Sequence, residues 1–189
     1  MFPDVIDVLK YVEKDGPSDA KKRQARGLLN YVNVFHLHLM LLILGHANAL
    51  SISLQRKDKD ILEAMQEVKL TKKKFQQIRD DGWDSLLEKS HSFCEEYNIP
   101  KLDMEEQYID RHKPRMKTNR TNYEHYKYDC FNPVIDLQLG EFNDRFTEIN
   151  STLLTQMAAF SPKDSFGAFN VETLVDLDKS YPDDSVPSN

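Results

Sequence analysis

The apolar run Val34-Phe35-His36-Leu37-His38-Leu39-Met40-Leu41-Leu42-Ile43-Leu44 decides the fold of this chain. It leads to Leu50-Ser51-Ile52-Ser53-Leu54-Gln55-Arg56-Lys57-Asp58-Lys59-Asp60-Ile61, where polar and charged residues return. A segment that is apolar on nearly every side predicts a buried helix, from about Val34 to Gln55, at the centre of a helical bundle. The second stretch predicts a charged, amphipathic helix that Asp58 or Asp60 opens, because acidic residues favour helix N-termini.

Two helices are predicted ahead of this run. Apolar residues from Val5 to Val12 recur at helical spacing, and Gly16-Pro17 ends that first helix. Ser18 is a favoured N-cap residue, so a second helix is predicted from there to about Val32.

Two more helices are predicted after the central run, again because apolar residues recur at spacings of three and four. The stripe from Ile61 to Ile78 reaches Asp81-Gly82, where a glycine in a helical pattern predicts a break or kink. Trp83 begins the next apolar face. Its spacing from Leu86 and Leu87 favours packing in the core over stacking on a nucleic-acid base.

The C-terminal part carries the longest periodic signal, from Ile135 to Phe160, which predicts one long packed helix that Pro133 kinks or begins. A short helix is predicted between Asn170 and Ser180. The sequence therefore predicts an all-α fold, a bundle of long amphipathic helices with one exposed basic loop. Residues 1–181 are predicted to form one helical domain, and residues 182–189 a disordered tail.

The exposed loop is the one surface whose chemistry suggests a ligand. Between residues 111 and 120 it is basic, contains a proline and has almost no apolar residue. Such a loop contacts phosphates or serves in nuclear import, and it is also typical of a merely solvated segment. The candidate nucleic-acid-binding residues are Arg111, Lys113, Arg115, Lys117 and Arg120.

Metal binding and catalysis are not predicted. His91 and Cys94 are three residues apart, but a zinc site needs two further ligands, and Cys130 with a distant histidine is all that the chain offers. The carboxylates alternate with lysines on predicted helix surfaces, and the chain has no glycine-rich phosphate loop. We therefore expect no catalytic residue, no metal, no cofactor, no small-molecule substrate and no enzymatic activity.

Charge and composition place the chain inside the cell. The 189 residues carry a formal net charge of -6, which opposes strong nucleic-acid binding by the chain as a whole. Met1-Phe2-Pro3-Asp4 is not the start of a secretory signal, and two cysteines do not suggest a disulfide framework. The run from Val34 to Leu44 is shorter than the roughly 20 residues that span a bilayer. We expect a nuclear or cytoplasmic protein that is neither secreted nor bound to a membrane.

Short motifs along the whole chain, in their order and spacing, resemble plant hAT-superfamily transposase-derived proteins, the group labelled zinc-finger MYM-type-like or TTF-type zinc-finger proteins. The motifs are Met1-Phe2-Pro3-Asp4-Val5-Ile6-Asp7-Val8-Leu9, Ala25-Arg26-Gly27-Leu28-Leu29, Phe35 with Leu37-His38-Leu39-Met40, Leu54-Gln55-Arg56-Lys57-Asp58 with Asp60-Ile61, Asp80-Asp81-Gly82-Trp83 with Leu86-Leu87, Phe93-Cys94, Asp129-Cys130-Phe131 with Ile135-Asp136, Leu139 with Glu141-Phe142-Asn143 and Arg145-Phe146, and Ser161-Pro162-Lys163 with Ser165-Phe166.

The resemblance implies which part of such a protein this chain corresponds to. In that family an N-terminal zinc finger binds DNA, an RNase H-like domain carries an acidic metal-binding triad, a helical insertion interrupts that domain, and a dimerisation region follows. The chain resembles the insertion alone. No position matches a catalytic acid of the family, so no catalytic residue is carried over.

Three hypotheses about function follow. The first is a catalytically inactive fragment or derivative of a hAT transposase, whose helical insertion makes weak contact with the DNA backbone. The second is a domesticated helical module that binds a protein partner. The third is a gene remnant without function, and the sequence alone does not separate it from the second.

The basic loop gives a first testable prediction. If it contacts DNA, binding should be micromolar or weaker, independent of sequence and strongly salt-dependent, because its cations would meet phosphates rather than base edges. Replacing Arg111, Lys113, Arg115, Lys117 and Arg120 together by Gln should flatten the salt dependence in fluorescence-anisotropy titrations. A variant that binds DNA as the parent does, or a parent that does not bind at low salt, would show that the loop is only solvated.

Overall fold

The structure, a computed structural model, describes residues 2–57, 59–110, 118–160, 166–167 and 169–179. Within these ranges the chain is helical and contains no strand apart from an isolated bridge between Gln107 and Thr121, which confirms the all-α prediction. The elements are α1 (Phe2–Asp15), α2 (Asp19–Leu28), α3 (Tyr31–Leu54), α4 (Ile61–Glu96), α5 (Asn122–Glu124), a π-helix (His125–Phe131), α6 (Asn132–Arg145), α7 (Glu148–Met157), a 3₁₀ turn (Ala158–Phe160) and α8 (Val171–Lys179).

The helices form two compact units. The first unit comprises Met1–Gly45 and Gln77–Asp136, and the second comprises His46–Gln76 and Leu137–Asn189. The tail predicted over residues 182–189 lies outside the described residues.

The junction between α1 and α2 follows the sequence signals. Gly16 donates its N–H to the carbonyl of Val12 at 3.0 Å, and a Cβ on residue 16 would collide with that same oxygen, so the position requires glycine. Ser18 then caps α2, because its Oγ accepts a hydrogen bond from the backbone N–H of Lys21 at 3.4 Å. The start of α2 is thus as predicted.

The end of α2 differs from the prediction. The helix stops at Leu28 rather than near Val32, because the side chain of Asn30 bonds the backbone on both sides of the turn. It donates to the carbonyl of Gly27 and accepts from the N–H of Asn33 at 3.1 Å. Asparagine favours such local hydrogen bonds over a helix interior, so α3 begins anew at Tyr31.

The core of the first unit is aromatic. Phe35 on α3 is fully buried, and its ring lies 5.9 Å from that of Trp83 on α4 and 5.0 Å from that of Tyr126 on the π-helix. Trp83 in turn lies 5.7 Å from Phe131. Trp83 is buried here, as its spacing predicted.

The break predicted at Asp81-Gly82 is wrong, since α4 continues through it for 36 residues. A Cβ on Gly82 would lie 3.0 Å from the Ile78 side chain and 3.6 Å from the ring of Phe131. Because Gly82 has no side chain, the ring of Phe131 can pack close to the backbone of α4. The stabilisation from this contact offsets the poor helix propensity of glycine.

The predicted central position of α3 is also wrong. Of the most apolar part of this helix, 17% is buried. One side of the helix, with Phe35, Leu39 and Ile43, faces the core, while Leu41 and Leu44 on the opposite side are exposed. Neighbours thus cover one face of this part of α3 and leave the opposite face exposed.

The long helix predicted from Ile135 to Phe160 is divided. After α6 ends at Arg145, the N–H of Phe146 still bonds the carbonyl of Phe142 at 3.0 Å, and α7 begins at Glu148. Thr147 precedes the first residue of α7, a position that threonine favours. In the second unit the ring of Phe142 contacts that of Phe75 at 5.5 Å.

Pro133 marks a helix boundary, as predicted. It is the second residue of α6, immediately after the π-helix, where Asn132 donates to the carbonyl of Lys127 five residues back. In a regular α-helix the proline ring would meet the carbonyl of Asp129, and proline has no N–H to bond it. A wider π-turn ahead of Pro133 relieves that crowding.

The one-sided burial of α3 gives a second prediction. Replacing the buried Phe35 by Ala should lower the free energy of unfolding by about 3–5 kcal/mol, because it removes a core ring and leaves a cavity. The matched change Leu41→Ala, on the exposed side, should cost less than about 0.5 kcal/mol. Urea denaturation followed by circular dichroism measures both values, and similar losses in the two variants would place α3 in the centre after all.

Candidate functional site

Four exposed apolar side chains form a continuous stripe on α3. Leu37, Met40, Leu41 and Leu44, here called the α3 stripe, are 37%, 46%, 53% and 55% exposed. They occupy positions i, i+3, i+4 and i+7, which lie together on one helix face. Amphipathic helices bind hydrophobic grooves through apolar side chains at these positions.

The helix that carries the stripe has no Asp, Glu, Lys or Arg between Tyr31 and Leu54. At 24 residues it is about 36 Å long, well beyond the run Val34 to Leu44 whose length argues against a membrane span in the sequence. In the part of the chain that the structure describes, α3 is the one helix long and apolar enough to cross a membrane.

The opposite side of α3 is held against a charged helix. Two ring contacts join α3 to α4. The ring centroids of Phe35 and Trp83 lie 5.9 Å apart, and those of His38 and Phe93 lie 5.2 Å apart. Along the same part of α4 run several charged residues, namely Arg79, Asp80, Asp84, Glu88 and Lys89. The apolar helix is therefore part of a packed unit whose neighbouring helix is hydrophilic.

Most of the predicted basic loop falls outside the described residues, including Arg111, Lys113, Arg115 and Lys117. Arg120 is described, and its guanidinium forms an ion pair with the carboxylate of Asp129 at 2.5 Å. Its charge is thus partly neutralised within the chain.

The same carboxylate belongs to a cluster that the sequence did not predict. Asp129 accepts a hydrogen bond from Nδ1 of His125 at 3.3 Å, and Nε2 of His125 lies 3.7 Å from Sγ of Cys130. The four residues Arg120, Asp129, His125 and Cys130, here called the π-helix cluster, form one chain of polar contacts.

For a neutral imidazole these contacts favour one tautomer. Because an ionised carboxylate only accepts hydrogen bonds, Nδ1 of His125 carries the proton that bonds Asp129, and Nε2 is the acceptor that faces the thiol of Cys130. The ring of Tyr108 stacks on the imidazole, with centroids 3.7 Å apart and planes 16° apart, which fixes its orientation.

The π-helix is the reason that the cluster forms. His125 and Asp129 are four residues apart and meet on any helix, whereas His125 and Cys130 are five apart and meet when the turn widens. Pro133, which favours such a turn, is the one signal in the sequence that points to this arrangement.

Charge and burial act in opposite directions on the two acids of the cluster. The hydrogen bond from Arg120, assisted by that from His125, lowers the pKa of Asp129. Burial, and then the negative charge of Asp129, raise the pKa of the Cys130 thiol. At neutral pH the cluster therefore contains a carboxylate and a protonated thiol.

The pair considered for metal binding is placed differently. Cys94 is fully buried, and the ring of His91 lies 5.4 Å from that of Tyr31. Burial lowers the pKa of His91 and raises that of the Cys94 thiol. Over the described ranges, no three His, Cys, Asp or Glu residues are arranged to hold a metal ion.

Comparisons with protein-family models, with curated proteins and with solved structures found no match to this chain. The resemblance to hAT proteins therefore stays a prediction from the sequence.

The ion pair of the cluster gives a third prediction. Changing Arg120 to Gln should raise the pKa of Asp129 toward its ordinary value, because the hydrogen bond that favours the carboxylate is lost. A depressed carboxyl pKa stabilises the fold above the ordinary aspartate pKa, and this contribution is lost as pH falls through the depressed value. The variant should thus be less stable than the parent at pH 7, by a small margin for so exposed a pair, and the difference should shrink below about pH 4.

Urea unfolding at pH 7 and pH 3, with an NMR titration of the Asp129 carboxyl carbon, measures both effects. Arg145→Gln, which breaks the exposed pair with Glu141 at 3.1 Å, is the matched control and should leave the pKa of Asp129 unchanged. An unaltered pKa in the Arg120 variant would contradict the assigned cause.

Proposed function

We propose that this chain is a catalytically inactive helical module of the hAT type, and that it docks onto a protein partner through the α3 stripe. The observation that carries the proposal is the set of four exposed side chains at i, i+3, i+4 and i+7. Solvent-exposed apolar surface that is continuous in this way is characteristic of interaction sites.

A protein surface fits the stripe better than a bilayer does. To enter the membrane, α3 would have to bring along the face that packs on α4, and with it charged residues such as Arg79 and Glu88. A charged side chain within the hydrocarbon region costs several kcal/mol. A protein partner can cover the stripe while the other face of α3 keeps its contacts with α4.

The partner surface must itself be apolar and largely uncharged. Because α3 has no Asp, Glu, Lys or Arg, a charged partner group buried against it would lack a counter-ion. The insertion that this chain resembles interrupts an RNase H-like domain, and we propose that domain as the partner that covers the stripe.

The ion pairs of three described carboxylates support a role without catalysis. Asp129, Asp136 and Glu67 each pair with a basic residue, Arg120, Arg79 and Lys59 respectively, at 2.5–2.6 Å. Strand transfer requires carboxylates that converge on divalent ions, and ion pairing with cations competes with that arrangement.

The fourth prediction concerns docking. The chain should bind an RNase H-like domain of a hAT transposase, prepared with its own insertion replaced by a short linker, with micromolar affinity in isothermal titration calorimetry. Changing Leu41 to Lys should weaken that binding at least about tenfold, because an unpaired ammonium group would be buried at the interface.

Leu70→Lys is the matched control, since Leu70 is an exposed leucine on α4 outside the stripe. It should leave the affinity unchanged. An absence of binding, or equal weakening by the two variants, would contradict the proposal. Self-association of the chain that Leu41→Lys abolishes would show that a second copy occupies the stripe, and it too would contradict the proposed partner.

A further inference from the structure

The π-helix cluster contains the elements of an activated nucleophile. A thiol, a base and a group that orients the base follow one another, as Sγ of Cys130, the imidazole of His125 and the carboxylate of Asp129. Nucleophile and base in contact, with the base held by a third group, is the arrangement by which proteins activate cysteine. Because Cys130 is half-buried, part of its surface is open to solvent.

We infer that Cys130 is a site of thiol–disulfide exchange with low-molecular-weight disulfides, such as glutathione disulfide, and that His125 is the base. Nε2 of His125 takes the proton from Sγ, and the resulting thiolate attacks one sulfur of the disulfide. A bond forms between Sγ and that sulfur while the original S–S bond breaks. The leaving thiolate accepts the proton from His125 and departs as a free thiol, so that Cys130 is oxidised and the leaving sulfur is reduced.

The base is required because of where the thiol lies. Burial and the charge of Asp129 raise the pKa of Cys130, so the thiolate is scarce at neutral pH unless a neighbour accepts the proton. The Asp129 carboxylate disfavours the Cys130 thiolate, but it also orients the His125 imidazole so that Nε2 faces Sγ and can accept its proton. The reactivity of Cys130 thus depends on His125.

Cys94 provides an internal reference. Both cysteines carry free thiols, but Cys94 is fully buried on α4, whereas Cys130 keeps partial exposure. We therefore expect a small disulfide to react with Cys130 in the folded chain and with Cys94 only after unfolding.

The experiment follows each cysteine separately. The folded chain is incubated with glutathione disulfide at pH 7.4, and intact-mass and peptide-mapping mass spectrometry give the rate of modification at Cys130 and at Cys94. One glutathione should be added per chain, at Cys130, and Cys130→Ser should abolish the addition. His125→Asn should slow the reaction at Cys130 on the order of tenfold or more, since the proton acceptor is lost.

His36→Asn is the matched control, because His36 is an exposed histidine whose Nδ1 contacts the carbonyl of Val32 at 2.7 Å. It should not alter the rate at Cys130. Should His125→Asn unfold the chain, Cys94 would become labelled as well. In that case His125→Gln, whose longer amide side chain fills more of the space of the imidazole but is not a base, replaces it and should slow the reaction to a similar degree.

Three results would overturn the inference. The first is a Cys130 that does not react in the folded parent, and the second is a Cys94 that reacts first. The third is an unchanged rate at Cys130 in a folded His125 variant, which would show that the S···N contact only serves packing.

Discussion

The contact of Phe35 with Trp83 and Tyr126 joins three segments that are far apart in the sequence, and the first unit is organised around it. Its rings come from α3, α4 and the π-helix and lie 5–6 Å apart, the separation at which edge-to-face aromatic pairs are favourable. Because α3 uses this face for the core, its opposite face is turned outward. The same contact places Tyr126 inward on the π-helix, so that its neighbour His125 reaches Asp129 and Cys130.

Much of the secondary structure could be predicted because local chemistry decides it. Ser18 caps α2, Gly16 ends α1, and α8 lies within the stretch where a short helix was expected. What could not be predicted depends on tertiary neighbours. A helix that is apolar on nearly all sides gives no periodic signal of which face is buried, so the sequence assigns the exposed stripe of α3 to the core. The sequence likewise predicts a helix break at Gly82, because it does not show that Phe131 packs beside this residue.

The two candidate sites differ in the same respect. The four leucine and methionine residues of the stripe are visible in the sequence, but their exposure is a property of the packed unit. His125 and Cys130 lie about 140° apart around a regular α-helix, so no pattern based on α-helical spacing brings them together. Their contact requires the wider turns ahead of Pro133, and π-helices are rare enough that sequence reasoning does not assume them.

The lack of charge on α3 has a consequence for how the protein behaves at high concentration. With its 24 residues free of Asp, Glu, Lys and Arg, α3 contributes nothing to the formal net charge of -6, so other parts of the chain supply the repulsion that keeps molecules apart. That repulsion vanishes near the isoelectric point of about 5.5, while the apolar attraction between stripes does not depend on charge. Colloidal stability should therefore be lowest in mildly acidic buffer, and storage above pH 7 keeps the exposed helix faces apart.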